Sequence, residues 1–446
     1  MKNKGKKLYR IFRYIASCIL ELFVVVAVIM TKTLEGAGTK AVEKIQFHEN
    51  SVSQDFVPFL TENSLKPPLI AIDGGHGGED EGCAREGVRE KDINLDIAIQ
   101  LQKKLSDIGY QVIMIREGDQ YKAKEERVEM ANEAGAHIYV SIHQNACDKP
   151  EVKGVETWYD GKDGSRDSKR LAQLIHQETL KSTGALSREV KDNAEFHVTG
   201  KTKMPACLIE TGFLSNKEER EKLGTKEYQE KIVEGIVQGI EYYFYPNTMY
   251  LTFDRGPSVE STNKILDVLK EKKIKATFFL VGERVRQNPE IARKIVANGH
   301  TIGISSFKED DSEIYQSVDN YIEDFEEAYK AVLEVTGVGV KIFQFPQENM
   351  DNSEKIRELI IQEMTARGFV YYDWNVKLKD ELISEGVEEL IKNAKERVMG
   401  KEKVVLLAHD TAYNTALYLD RLIEQFPEYK MEVLTEDVDP ILLGKE

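Results

Sequence analysis

The stretch Leu69-Ile70-Ala71-Ile72-Asp73-Gly74-Gly75-His76-Gly77-Gly78 decides how the first half of this 446-residue chain is read. A short apolar run stops at an aspartate and opens into a glycine-rich turn with a histidine at its centre. Such a pattern predicts a buried strand that ends in a functional loop. Outward from it, β-rich runs at 69–73, 111–115, 138–142, 154–159 and 207–210 alternate with helical periodicity over 92–108, 124–134, 168–182 and 228–244. Alternation of this kind predicts an α/β fold, an open and mostly parallel sheet with helices on both faces.

After Tyr245-Pro246-Asn247 the alternation restarts, with strand candidates at 250–253, 276–281, 301–305, 342–345, 369–374, 404–408 and 430–434 and a long helix near 312–336. So many strands in so short a stretch suggest a distorted α/β barrel. The length also asks for two domains of roughly 150–200 residues each. The expected layout is a basic flank and apolar helix at 1–30, a polar linker at 31–66, one domain at 67–246 and a second at 247–446.

The formal net charge of −16 argues against nucleic acid as a partner, because phosphates demand a basic surface. The first residues depart from this acidity: Lys2, Lys4, Lys6, Lys7, Arg10 and Arg13 precede an apolar run over 14–30. Its Ile, Leu, Val and Phe residues each favour insertion by about 0.3–0.6 kcal/mol, enough together to outweigh Glu21 at about 3 kcal/mol. The basic flank stays inside, so the rest of the chain is placed outside the cytoplasmic membrane, held by a signal anchor; cleavage and secretion is the second choice. Cys18, Cys83, Cys147 and Cys207 match no zinc-finger or CxxC spacing and read as ordinary small buried residues, with room for one disulfide.

Three residues suited to binding a metal fall at strand ends or helix starts. His76 follows the first strand, His143 in Ser141-Ile142-His143-Gln144-Asn145 follows another, and Glu90 begins the helix after the His76 loop. Ligand crevices in open α/β sheets lie at the carboxyl ends of strands, so residues far apart in sequence can converge there. Two imidazoles and a carboxylate make the protein half of a catalytic zinc (Zn2+) site with a place left for water. Glu210, in Leu208-Ile209-Glu210-Thr211-Gly212-Phe213, has the matching place on a later strand and suits a general base that then becomes an acid. The glycines around His76 allow a sharp turn and close approach. A phosphate cradle is the rival reading of that loop, but Glu79, Asp80 and Glu81 would repel phosphate.

Taken in order, IDGGHGG, REKDINLDIA, a strand ending in Arg116, SIHQNA, GVETWY and LIETGFLSN resemble the zinc-dependent N-acetylmuramoyl-L-alanine amidases of the Amidase_3 type over about 68–244. The resemblance implies His76, Glu90 and His143 as zinc ligands, Glu210 as catalytic glutamate and peptidoglycan as substrate. Gly74 stands where the family usually has proline, and the segment 160–166 is too short to carry the long inserted helix that blocks the zinc in division-type members.

Tyr250-Leu251-Thr252-Phe253-Asp254-Arg255-Gly256-Pro257, ATFFLVGERV, Asn298-Gly299-His300-Thr301-Ile302-Gly303 and Leu406-Leu407-Ala408-His409-Asp410 resemble polysaccharide deacetylases over about 247–430. By that resemblance the metal site is lost. Arg255 replaces a metal-binding aspartate, Ser305 and Glu309 replace two histidines, and Gln344 replaces the arginine of a later motif; His300 corresponds to an outer, non-ligating histidine. Asp254 and His409, the family's base and acid, remain. The second domain is therefore expected to be inactive, a glycan- or partner-binding element, with Arg255 turned back to pair with Glu309 or Asp254 in place of the metal. The leading functional expectation is a peptidoglycan amidase. The alternatives are a zinc peptidase acting on the stem peptide and a non-catalytic wall-binding scaffold.

Overall fold

The computed structural model describes residues 67–440 apart from 194, 309–313, 346–353 and 381–385. The expected membrane anchor, the linker and Glu309 lie outside the described residues. Among the described residues no helix is long and apolar enough to cross a membrane.

Six strands form the first sheet: β1 (Leu69–Gly74), β2 (Gln111–Met114), β3 (Ile138–Asn145), β4 (Val155–Tyr159), β5 (Ser187–Asp192) and β6 (Ala206–Phe213). Their order is β2-β1-β3-β6-β4-β5. All neighbours are parallel except β4 and β6, which run antiparallel, so the last two strands reverse the sheet's direction. Four helices matter for its packing: α1 (Glu90–Asp107), α2 (Lys124–Glu133), α3 (Ser168–Thr183) and α4 (Lys226–Phe244).

Period-two alternation sorts the strands' side chains into two cores. Ile70, Ile72, Val140, Ile142 and Ile209 pack with Ile97 of α1, Leu171 of α3 and Ile236 of α4 on one face. Ala71, Tyr139 and Ala206 pack with Ala131 of α2 on the other. Helices therefore cover both faces, as the alternation predicts. The same parity sends His143 and Glu210 to the α2 face, since Ile142 and Ile209 point the other way.

Eight parallel strands make the second sheet: β7 (Asn247–Gly256), β8 (Thr277–Val281), β9 (Thr301–Ser306), β10 (Ile342–Phe343), β11 (Val370–Tyr371), β12 (Val376–Lys377), β13 (Lys403–His409) and β14 (Tyr429–Glu432). The path β11-β10-β9-β8-β7-β13-β12 does not close among the described residues, and β14 adds to β7, which gives a half-barrel. The long helix runs Val318–Thr336, starting later than the sequence suggests because Ser317 caps it by accepting from the Asn320 amide.

Only Tyr245 and Pro246 separate α4 from β7. Arg170 of α3 ties the two lobes together: it donates to the carbonyls of Tyr242 and Tyr243 at the end of α4 and to that of Pro427 in the second lobe. Glu424 adds ion pairs to Lys169 of the first lobe and Lys272 of the second. Cys83, Cys147 and Cys207 are all free, and only Cys207 is buried; the other two are half-buried, in contrast to the expectation.

Candidate active site

His76 leaves β1 with a left-handed backbone, φ 63°, a conformation that costs an L-residue energy and is kept where structure over-determines it. The loop has room for that turn only because of its glycines. A Cβ on Gly75 would lie 2.2 Å from His143 Cε1, and one on Gly82 would lie 2.6 Å from Glu90 Oε2. Beneath the loop, Arg116 donates to the carbonyls of Gly74, Gly75, Gly118 and Lys91. Arg127 pairs with buried Asp73 at 2.5 Å and donates to the His76 carbonyl. Two arginines thus supply the donors that a strained loop lacks.

The structure brings His76, Glu90 and His143 together: their donor atoms all lie within 4.8 Å of one another. Glu90 Oε1 sits 3.2 Å from His76 Nε2 and 3.0 Å from His143 Nδ1. It also accepts from the Gln144 amide and from Asn94, while its Oε2 accepts from the Cys83 amide. Burial opposes charge on Glu90, but the two imidazoles outweigh it and hold the carboxyl well below its usual range. At His76 burial disfavours protonation, yet Glu90 and Asp80 overcome it and raise the ring to about 9.

This donor set fits zinc. Two nitrogens and one carboxylate oxygen converge, and His76 gives its other nitrogen, Nδ1, to Asp80 Oδ2 at 2.8 Å. A carboxylate behind a ligand histidine fixes its tautomer and ring orientation. Sequence reading treats Asp80 only as an obstacle to phosphate; its position four residues after His76 inside a glycine loop is the signal that was there to be used.

His143 and Glu210 lie within their strands rather than beyond them, directly paired across β3 and β6. Glu210 is half-buried, its Oε2 is shielded with no hydrogen-bond partner, and burial pushes its carboxyl to about 7. Across the antiparallel pair Glu210 faces Glu156, a buried acid that the sequence reading quotes within GVETWY without a role. An acid inside an otherwise apolar strand is the signal for it.

The second lobe has a different centre. Asp254 at the end of β7 is buried with neither oxygen hydrogen-bonded among the described residues, and burial raises it to about 6. His409 Nε2 is 3.6 Å from it, and His409 Nδ1 is 2.7 Å from Asp380. Ser305 Oγ and both amide atoms of Gln344 are likewise buried without partners, and burial raises Asp410 to about 8. Arg255 holds a left-handed backbone, φ 66°, and its charge lowers the Asp254 carboxyl against the effect of burial; Glu309 lies outside the described residues. Among the described residues no second trio of metal-binding side chains forms. His300 accepts from the Ala276 amide and packs on Phe278, an architectural role.

Comparison with known proteins agrees with both halves. The family model described as N-acetylmuramoyl-L-alanine amidase matches residues 70–242, and that for polysaccharide deacetylase matches residues 244–363. The amidase LytC of Bacillus subtilis is 37% identical over 186 residues, covering 41% of this chain and 37% of that protein. The germination-specific N-acetylmuramoyl-L-alanine amidase of the same organism is 32% identical over 207 residues, covering 42% of this chain and 86% of that one. Among solved structures, an N-acetylmuramoyl-L-alanine amidase from Clostridium difficile 630 is 38% identical at TM-score 0.39, over 40% of this chain and 97% of that one. The catalytic domain of a peptidoglycan N-acetylglucosamine deacetylase from Eubacterium rectale is 27% identical at TM-score 0.41, over 44% of this chain and 92% of that one. The chain spans little more than a third of LytC but most of the germination-specific enzyme. By its match to most of the germination-specific enzyme the chain belongs to the N-acetylmuramoyl-L-alanine amidase family.

Proposed function

We propose that the first lobe hydrolyses the amide bond between N-acetylmuramic acid and L-alanine in peptidoglycan, with zinc held by His76, Glu90 and His143. The observation that carries this reading is the convergence of those three donors beside the shielded, unpartnered carboxylate of Glu210. Zinc held there would supply Lewis-acid polarisation of the scissile carbonyl. Glu210 takes a proton from the attacking water and passes it to the leaving alanine nitrogen. A carboxyl raised to about 7 is suited to both transfers near neutral pH. Asp80 and Glu90 hold the rings in place, and the two arginines below keep the loop from relaxing.

The second lobe, in this reading, is not a deacetylase: its acid and base survive around a centre filled by Arg255, Ser305 and Gln344, which serves binding or support. The basic flank and apolar run at 1–30 favour a place outside the cytoplasmic membrane, anchored to it. Mass spectrometry of wall fragments before and after incubation with the zinc-loaded protein tests the first reading. Intact lactyl-muramic acid together with peptides carrying a free amino-terminal alanine is the expected result. Cuts within the stem peptide would replace it with a peptidase, and unchanged fragments with a scaffold. Acetate released from N-acetylated glycan would overturn the inactive second lobe.

A further inference from the structure

His143, Glu210 and Glu156 stand in register across β3, β6 and β4. Directly paired residues share a face with Cβ atoms roughly 5 Å apart, so they form one row leading away from the metal ligands. Strand β5 ought to end that row. Its Val190 packs against the α1–α3–α4 core, and strict alternation would send Arg188 the same way. Instead the register slips between Val155 and Thr157, leaving Arg188 and Glu189 together opposite Glu156, with Glu189 at φ 75°. A bulge of this kind re-aims a side chain, and here it delivers Arg188 to the row.

Arg188 Nε lies 2.8 Å from Glu156 Oε1 and Lys191 Nζ lies 2.9 Å from the same oxygen, while Asn145 takes Oε2 at 3.0 Å. One carboxylate faces two cations, so the group of Glu156, Arg188 and Lys191 carries a net positive charge. Arg188 spends only Nε on the pair, which leaves the Nη edge, the part that forks onto a carboxylate, outside it. Both cations are about one-third exposed, at 35% and 30%, and they ride on aromatic rings, Arg188 over Phe213 and Lys191 over Trp158. Glu79, Asp80 and Glu81 crowd the opposite, β1 side of the metal ligands. The site is therefore polarised: acidic at one end, cationic at the other.

We propose that Arg188, supported by Lys191, binds the first free carboxylate of the stem peptide beyond the scissile bond and so fixes which way the substrate lies. The proposal rests on the amidase reading. In a stem peptide whose second residue is an acid linked through its side chain, the α-carboxylate of that residue is free. Two extended residues span about 7 Å, and two strand spacings from Glu210 to β5 are about 9.5 Å; an arginine side chain closes the difference. The acidic loop at the other end repels the same group and accommodates the neutral sugar.

The test compares two muramoyl tripeptides that differ only at this group, a free α-carboxylate in one and a carboxamide in the other, with the full zinc-loaded protein. The wild type should favour the acid by about tenfold in kcat/KM, carried mainly by KM, as expected for one charge-assisted hydrogen bond. Arg188→Gln should abolish that preference, and Arg188→Lys should restore part of it. Lys191 remains in both variants to pair with Glu156, and zinc content and melting temperature report that the fold is kept. Equal cleavage of the two substrates by the wild type, or an Arg188→Gln loss that is the same for both, overturns the proposal and leaves the amidase reading standing. Cleavage of neither substrate overturns both.

Discussion

The two lobes place their decisive residue in the same way and put opposite chemistry on it. His76 follows β1 and Arg255 falls near the end of β7, and both hold a left-handed backbone, at φ 63° and 66°. In the first lobe the strained residue presents an imidazole to a carboxylate and a second ring, and Asp80 orients it from behind. In the second it brings a guanidinium whose charge is felt at buried Asp254, and among the described residues the buried Ser305 and Gln344 side chains have no hydrogen-bond partner. One strand end places side chains that could hold a metal ion; the other places a side chain that carries its own positive charge. The comparison teaches that one backbone device, a left-handed residue at a strand end, can present side chains of opposite chemistry.

Breaking the first site should have the largest effect. Glu210→Gln is expected to keep zinc but lower turnover by about 10²–10⁴-fold, the range for a lost general acid–base group. His143→Ala should lose the zinc itself, because two protein ligands seldom hold it. Elemental analysis alongside turnover separates the two, and stoichiometric zinc in His143→Ala would remove that residue from the ligand set. Next in size, Gly75→Ala thrusts a Cβ to 2.2 Å from the His143 ring. A displaced ligand should weaken zinc binding by about 10–100-fold, read by competition with a chelator; unchanged affinity would mean that the loop yields freely.

The second site should show itself in stability. Asp254 and Asp410 have folded-state values raised to about 6 and about 8 by burial, above the 3.8 of an unfolded aspartate. The folded lobe thus binds more protons than the unfolded chain. Stability from this source is complete below about pH 4 and is lost as pH rises through 6 and then 8. Between pH 5 and 9 the lobe's melting temperature should fall by about 10 °C or more, and Asp410→Asn should flatten most of that fall, Asp254→Asn the smaller part below pH 6. A melting temperature that climbs over this range would contradict the buried-acid account. Smallest of all, Glu424→Gln removes ion pairs made by partly exposed side chains and should cost less than about 1 kcal/mol; a calorimetric shift well beyond about 3 °C would show that the lobes depend on it.

Much of this was legible beforehand, because strand ends and hydrophobic period carry the sheet and because His76, Glu90, His143 and Glu210 fall where the α/β rule looks for ligands. What escaped was non-local. The reversal of β4 against β6 leaves no trace in an alternating pattern, which reads the same in either direction. Strand β5, Ser-Arg-Glu-Val-Lys-Asp, is polar and bulged, so it lacks the apolar run that marks a strand. Asp80 and Glu156 gain their meaning only from the residues they face across the loop and the sheet.

The two-residue joint at Tyr245-Pro246 has a mechanical consequence. With Arg170 bonded to carbonyls on either side of it, the joint contains no slack to take up tension. A wall strand gripped by the second lobe would pull directly on the sheet that carries the cutting row. The distance from grip to cut is then a constant of the molecule, acting as a ruler, and stem peptides should be removed at a fixed spacing from the gripped sugars instead of at random.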